Sequence, residues 1–385
     1  MIYADHAATT PVSDCAFNAM MPFLQAQYGN ASSQYTFGVR AKYAVDHARR
    51  QIASALNAEP ESIIFTSGGS EANTWVIRCT AERFFGEPIH IVTTIIEHTS
   101  VLNACKALEA YGVEVTYLPV DEVGRVSALD VKAAIRPNTK LVSVMLANNE
   151  VGTIQPISEI GKILKERGIL FHTDAVQAVG HIPVDVQTLN VDFLSASAHK
   201  FNGAKGVGIL YIRPGLHLPH LIFGGGQELD LRAGTENVAG IVAAGCALEE
   251  NSSLLKQENE KVSTLVALTV HGLRTAIPQI RFNAEYTPKL PGTLSVTFPY
   301  ATGESIMHLL DLKGICVSTG SACKAGTSEP SHVLRAMGLT EQQAKSTIRI
   351  SYGRGNNAKD AEEIVRAIVD ICKEHSHERY QYLWG

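Results

Sequence analysis

Lys200 stands in Ser197-Ala198-His199-Lys200-Phe201-Asn202-Gly203-Ala204-Lys205-Gly206-Val207-Gly208, after the apolar run Val191–Ala196 and before a glycine-rich turn. That order puts a primary amine at the carboxyl end of a buried strand, where open α/β sheets bind ligands. An amine in an apolar site loses pKa and becomes a nucleophile toward carbonyls. Asp174 ends a second strand-like run, Gly168-Ile169-Leu170-Phe171-His172-Thr173. A carbonyl-capturing lysine and an acid for a ring nitrogen are together what pyridoxal phosphate requires of a protein.

Other residues suit the remaining parts of such a cofactor. Ser62–Thr66 runs into Ser67-Gly68-Gly69-Ser70-Glu71-Ala72-Asn73 and a helix start. Glycines admit an anion to the backbone, and a new helix presents free N–H groups with a positive dipole end. Ser70 either caps that helix or bonds a phosphate oxygen. The spacings of GxxxxGK[ST] and GxGxxG are absent, so this is neither a P-loop nor a dinucleotide fingerprint. His98 lies between a strand and a helix start, where an imidazole either caps the helix or stacks on a pyridine ring. Asn149 and Gln177 bring amides to comparable strand ends, suited to a phenolic oxygen and a carboxylate.

The elements that position these residues alternate. Strands are expected at Ser62–Thr66, Ile89–Thr93, Val113–Leu118, Leu141–Leu146, Ile169–Thr173, Phe193–Ala196 and Gly208–Ile212. Helical spacing fills the gaps at Lys42–Leu56, Val101–Tyr111 and Ile157–Arg167. Repeated βαβ units imply a mostly parallel sheet with helices on both faces. A polar helical segment, Ser252–Thr275, precedes a different texture: a strand at Thr293–Phe298, a helix at Glu304–Lys313, a strand at Thr347–Tyr352 and a helix at Ala358–His375. The expectation is an α/β protein with a large domain over residues 16–255. A smaller α+β domain takes residues 1–15 and 256–385.

Composition bounds the rest. At 385 residues and 45% hydrophobic residues the chain is an ordinary globular protein. A net charge of −5 offers no basic surface for nucleic acid. No apolar run is long enough to span a bilayer, and Met1-Ile2-Tyr3-Ala4-Asp5-His6 does not read as a signal peptide. Seven cysteines without a CxxC pair argue against a disulfide framework and a zinc ribbon, so a reducing cytoplasm and no metal are expected.

Taken in order, these motifs resemble a family. Asp174-Ala175-Val176-Gln177 and Ser197-Ala198-His199-Lys200 are similar to the pyridoxal-phosphate site of the class V aminotransferase group, whose large domain has the type I fold of these enzymes. Ala147-Asn148-Asn149-Glu150-Val151-Gly152-Thr153-Ile154-Gln155-Pro156 narrows the resemblance to cysteine desulfurases of the NifS/IscS type. So do Asp5-His6-Ala7-Ala8-Thr9-Thr10-Pro11, Gly224-Gly225-Gly226-Gln227-Glu228 and Arg232-Ala233-Gly234-Thr235-Glu236-Asn237. The match runs from residue 2 to about 355.

The resemblance implies that Lys200 links to the cofactor and Asp174 holds its ring nitrogen protonated. Gln177 would bond the phenolic oxygen, and His98 would stack on the ring. Gly69, Ser70, Ser197 and His199 would hold the phosphate, and Thr235 would reach the phosphate of a second subunit, so a homodimer is implied. Asn149 and Arg349 would hold the carboxylate of the substrate, L-cysteine, a task for which a guanidinium fork is suited. Cys323 sits in Ser318-Thr319-Gly320-Ser321-Ala322-Cys323-Lys324-Ala325-Gly326-Thr327-Ser328-Glu329-Pro330, whose small and polar residues read as a mobile surface loop. It would take the sulfur as a persulfide and pass it to an acceptor such as an iron–sulfur scaffold or a tRNA-thiolation protein. Cys316 reads as structural.

An aminotransferase of the same fold would use Lys200 and Asp174 but not Cys323, and the selenocysteine-lyase-like group carries a shorter loop. Three departures from the family pattern are Tyr35 for a usual histidine, Ala204 for a usual proline, and Leu229-Asp230-Leu231 for a segment that usually contains a glycine.

Overall fold

Apolar, β-branched runs such as Ile63-Ile64-Phe65-Thr66 and Ile91-Val92-Thr93-Thr94 are buried along their whole length. Helices cover both faces of their sheet, which is why these strands read as continuous rather than alternating. The computed structural model describes residues 1–299, 301–319 and 329–382, with side chains through Glu374. After the short β1 (Ile2–Tyr3) come β2 (Ile63–Thr66), β3 (His90–Thr94), β4 (Glu114–Leu118), β5 (Thr139–Ser143), β6 (Leu170–Asp174), β7 (Phe193–Ser197) and β8 (Gly208–Ile212). β2 to β8 form a seven-stranded sheet in the order β2-β8-β7-β6-β5-β3-β4. Only β8 runs against its neighbours, so the mostly parallel sheet expected from sequence is what forms.

The helices that serve this sheet are α1 (Asp14–Gln25), α2 (Thr36–Leu56), α3 (Gly69–Arg83), α4 (Thr99–Glu109), α5 (Ala128–Ala134) and α6 (Ile157–Arg167). The expected strand Leu141–Leu146 ends as regular ladder at Ser143. Its extended course continues, because Val144 and Leu146 donate their N–H groups to the carbonyls of His172 and Asp174. The continuation carries the chain to the edge where Asn149 sits. Mid-sheet, His172 is fully buried with Nδ1 at 2.8 Å from Ser143 Oγ and Nε2 at 3.0 Å from Ser195 Oγ. Burial pushes its pKa down to about 3, so it is a neutral cross-strand tie.

A second core lies around an antiparallel sheet of order β12-β13-β10-β9, made of β9 (Arg281–Asn283), β10 (Thr293–Thr297), β12 (Ser318–Thr319) and β13 (Thr347–Ser351). β1 pairs separately with β11 (Ile315–Cys316). The polar segment Ser252–Thr275 belongs to one continuous helix, Val238–Ala276, of 39 residues. That is about 58 Å of helix at 1.5 Å per residue. Ala243, Ala244 and Leu248 of its first half pack in the first core, and Val262, Leu265 and Leu273 of its second half in the other. Gly272 lets the helix Ala358–Tyr382 cross closely, since a Cβ there would meet Val365 Cγ1 at 2.8 Å.

One expectation is corrected. The sequence argues against a disulfide framework, but Cys15 on α1 and Cys246 on the long helix form one disulfide, with Cα atoms 6.5 Å apart. They are 231 residues apart, so no local spacing announces the pair. Cys79, Cys105 and Cys372 are buried thiols.

The departure at Leu229-Asp230-Leu231 has a structural counterpart. Glu228, Leu229 and Asp230 take left-handed backbone, at φ of 49°, 59° and 62°. Such conformations cost roughly 1–2 kcal/mol per residue and persist where surroundings over-determine them. Here the determinant is the buried Glu228 carboxylate, which accepts from Arg49 Nη1 and Nη2 at 2.9 Å each and from the Phe65 N–H at 2.7 Å. Glu228→Ala would leave Arg49 buried and uncompensated. A loss of about 3–5 kcal/mol is expected, read from the denaturant midpoint. An unchanged midpoint would mean that the clamp does not hold the loop.

Candidate active site

All the strands that run parallel end at one edge, and the loops leaving β2, β3, β5, β6 and β7 converge there on a cavity of about 350 Å³. Gly69, Ser70, His98, Asn149, Asp174, Gln177, Ser197, His199, Lys200 and Arg349 all line it. Thr235 does not. It is exposed on the loop that follows the left-handed turn. Cys323 lies outside the described residues, but Pro330, Ser331 and His332, which follow its segment, also line the cavity.

The local fold explains each placement. Asp174 is the last residue of β6 and is 5% exposed. Its Oδ2 accepts from Asn73 Nδ2 at 2.7 Å and its Oδ1 from the Val176 N–H at 3.0 Å, which aims the carboxylate along the cavity floor. Gly69 opens α3 close against the next loop, where a Cβ would meet Val176 Cγ2 at 2.5 Å. The free N–H groups of the first turn therefore face the cavity beside Ser70 and Ser197. His98 caps α4, with Nδ1 accepting from the Ser100 N–H at 3.2 Å, and its ring still lines the cavity. Its capping and ring-facing readings are thus compatible. His199 has Nδ1 3.1 Å from Thr9 Oγ1, and burial, then the charges of Lys200 and Lys205, bring its pKa down to about 4.

The N-terminal segment supplies the opposite wall. Lys200 Nζ donates to the carbonyls of Ala7 at 2.6 Å and Ala8 at 2.8 Å, and Gln177 Nε2 donates to Ala7 O at 2.9 Å. Arg349 on β13 is 4% exposed and donates from Nη2 to Asp5 Oδ1 and from Nη1 to Asn149 O, both at 2.7 Å. Asp5 and Asn73 are site residues whose roles sequence reading missed. The Asp5 motif was visible, but its partner is 344 residues away.

Two buried carboxyls border this set. Glu97, beside His98, accepts at Oε1 from Thr94 Oγ1 at 2.7 Å and from the Met145 N–H at 2.9 Å. Its Oε2 is buried with no hydrogen-bond partner among the described residues. Burial drives its pKa up to about 8, helped by the charge of Asp174 and opposed by those two hydrogen bonds. Glu150 accepts from Ser331 Oγ at 2.5 Å, and burial raises its pKa to about 7 against the pull of Ser331 and Arg349.

The donor set fits pyridoxal phosphate. A buried carboxylate and a lysine amine line one cavity, and a helix N-terminus with two serines offers anion donors to it. Among the described residues no group of His, Cys, Asp and Glu side chains could hold a metal ion.

A family model described as aminotransferase class V matches residues 2–364. A protein of Methanosarcina thermophila named cysteine desulfurase IscS is 46% identical over 373 residues, 97% of this chain and 92% of its own. A putative cysteine desulfurase IscS 1 of Bacillus subtilis is 46% identical over 97% of this chain and 98% of its own. Among solved structures, a NifS-like protein superposes with a TM-score of 0.91 at 39% identity, covering 97% of this chain and 99% of that one. SspA, solved in complex with cysteine, gives 0.80 at 37% identity over 92% and 99%. Fold and site thus define a pyridoxal-phosphate enzyme of fold type I. The chain belongs to the class V aminotransferase family and, within it, to the cysteine desulfurases of the NifS/IscS type.

These groups set a pH dependence of stability. His6, His172 and His199 have folded pKa values of about 4, 3 and 4 against an ordinary 6.5, so the unfolded chain takes up protons first and stability falls as pH drops below about 6.5. Glu97 and Glu150 are raised from 4.5 to about 8 and about 7, so their contribution is full below 4.5 and lost as pH rises through those values. Above 6.5 the second effect prevails until Lys289, brought down to about 8 by burial, starts to oppose it, and the melting temperature is expected to decline between pH 6.5 and 8. Glu97→Gln, which cannot ionise, should flatten that decline. An equally steep limb in the variant would remove Glu97 as its cause.

Proposed function

We propose that the enzyme converts L-cysteine to L-alanine and takes the sulfur on Cys323 as a persulfide. From there it passes to an acceptor protein, such as an iron–sulfur scaffold or a tRNA-thiolation protein. The observation that carries this reading is that Lys200, Asp174 and Arg349 open on one cavity that is also lined by Pro330, Ser331 and His332, which follow the Cys323 segment. Ser318 pairs with Arg349 across β12 and β13, and Cys323 is four residues beyond Thr319.

Pyridoxal phosphate, when bound, supplies an aldehyde for the substrate amine and a ring that stores electrons released at the α-carbon. Asp174 would keep the ring nitrogen protonated and Gln177 would bond the phenolic oxygen. His98 would stack on the ring, while Gly69, Ser70, Ser197 and His199 would hold the phosphate. Arg349, fixed by Asp5, and Asn149 hold the substrate carboxylate. Lys200 would serve as the general base that takes the α-proton. The Cys323 thiolate then attacks the substrate sulfur. An S–S bond forms, the C–S bond breaks with its electron pair left on the β-carbon, that carbon takes up a proton, and Lys200 returns a proton to the α-carbon to give L-alanine.

Residues 16–255 form the cofactor domain of this reading, and residues 1–15 with 256–385 the smaller one. Thr235 completes the phosphate site of a second copy, so the working unit is a homodimer. Its exposed loop supports this, as do the exposed apolar side chains of Tyr35, Val39 and Tyr43 along α2 and of Phe223 and Leu229 near the loop. The enzyme acts in the cytoplasm. Among the described residues no helix is long and apolar enough to cross a membrane.

Lys200→Ala should lose the borohydride-reducible link to the cofactor and all alanine release. A reducible link that survives would sink the assignment. Cys323→Ser should keep cofactor binding and the spectral response to L-cysteine, yet form no persulfide. Mass spectrometry of the peptide carrying Cys323 checks this, and full turnover in the variant would point to a reaction that does not use that thiol.

A further inference from the structure

The loop that bears Thr235 is bolted to the elements that form the phosphate cradle of its own chain. Two carboxylate–guanidinium forks do this. At one end of the left-handed turn, Glu228 grips Arg49 and the Phe65 N–H on β2. At the other, Arg232 donates from Nε to Glu71 Oε1 at 2.9 Å and from Nη2 to Glu71 Oε2 at 3.1 Å. Glu71 also accepts from the Ser67 N–H at 2.9 Å. It stands one residue after Ser70 in the first turn of α3, whose start lines the cavity. Burial works against the Glu71 charge, but the bonds from Arg232 and Ser67 together outweigh it and hold the carboxyl below its usual range. The side chains are 21% and 11% exposed, so this is a partly buried fork rather than a surface pair.

A planar fork fixes both distance and plane, and a lysine would not. Arg232 is three residues from Thr235, and the Gly234 N–H between them donates to Gln227 Oε1 at 3.0 Å. The segment 227–234 is thereby closed on itself as well as anchored. Any shift of the first turn of α3 moves Arg232 with it, and Thr235 after that.

We propose that Glu71 and Arg232 are positioning residues that join the phosphate site of one copy to the loop it donates to its partner, so that each copy helps to set cofactor affinity at both sites. This rests on the homodimer reading. The test uses hybrid dimers of separately tagged chains in which one chain carries Lys200→Ala, leaving a single lysine able to report cofactor by visible absorbance. After the cofactor is stripped, pyridoxal phosphate is titrated into hybrids with Arg232→Ala either on the reporting chain or on the other.

Both placements should weaken binding about ten-fold, the scale of one charge-assisted hydrogen bond. Glu71→Gln, which keeps its size and an acceptor for Ser67, should weaken both placements to a smaller extent and serves if Arg232→Ala fails to fold. Loss in only one placement, or in neither, would overturn the link, because a purely local role cannot act on both sites. Sedimentation of the same samples separates the two readings. A monomer would overturn the homodimer and the link with it, whereas a dimer with unchanged affinities overturns the link alone.

Discussion

The amine of Lys200 rests between two backbone carbonyls of a segment near the start of the chain, and much of the architecture hangs on that contact. Residues 5–13 bond to β13 through Ser351 on one side and to His199 and Asn202 on the other. The segment has little regular structure of its own, so its buried backbone groups are satisfied only while both cores are in place. The wall of the cavity, the seat of the lysine and the joint between the cores are thus one set of hydrogen bonds.

The same economy appears in the charges. Arg349 has both terminal nitrogens engaged by Asp5 and Asn149 before any substrate is considered, which fixes the plane of its guanidinium. Asp174 is held by an amide and a backbone N–H rather than by a cation. That leaves it available as the charge partner of a cationic ring. Glu97 and Glu150 stand close by but are pushed toward neutrality by burial, Glu97 further than Glu150, so they add shape and hydrogen bonds with less than their full charge at neutral pH.

Much of this was legible in the sequence. The strand-end positions of Lys200 and Asp174, the glycine-serine entry to α3 and the alternation of strands and helices rest on short-range signals, and these placed the parallel sheet and the residues on its edge. What escaped depends on pairs distant in sequence. Asp5 finds Arg349, Glu71 finds Arg232 and Cys15 finds Cys246 only after folding, and nothing in the residue types alone selects those partners. Of the long helix Val238–Ala276, the sequence pattern shows only the polar part from Ser252, because its polarity changes midway. The change marks where it passes from one core to the other, not where it stops.

An enzyme of this class liberates sulfur in a reactive form, and the burial of its other cysteines bears on that hazard. Burial raises the thiols of Cys79 and Cys105 to about 12 and that of Cys372 to about 11. At neutral pH only about one part in 10⁵ of the first two is thiolate, the form that exchanges sulfur. Those three thiols are therefore insulated against the enzyme's own product, and can serve as small apolar side chains without becoming targets.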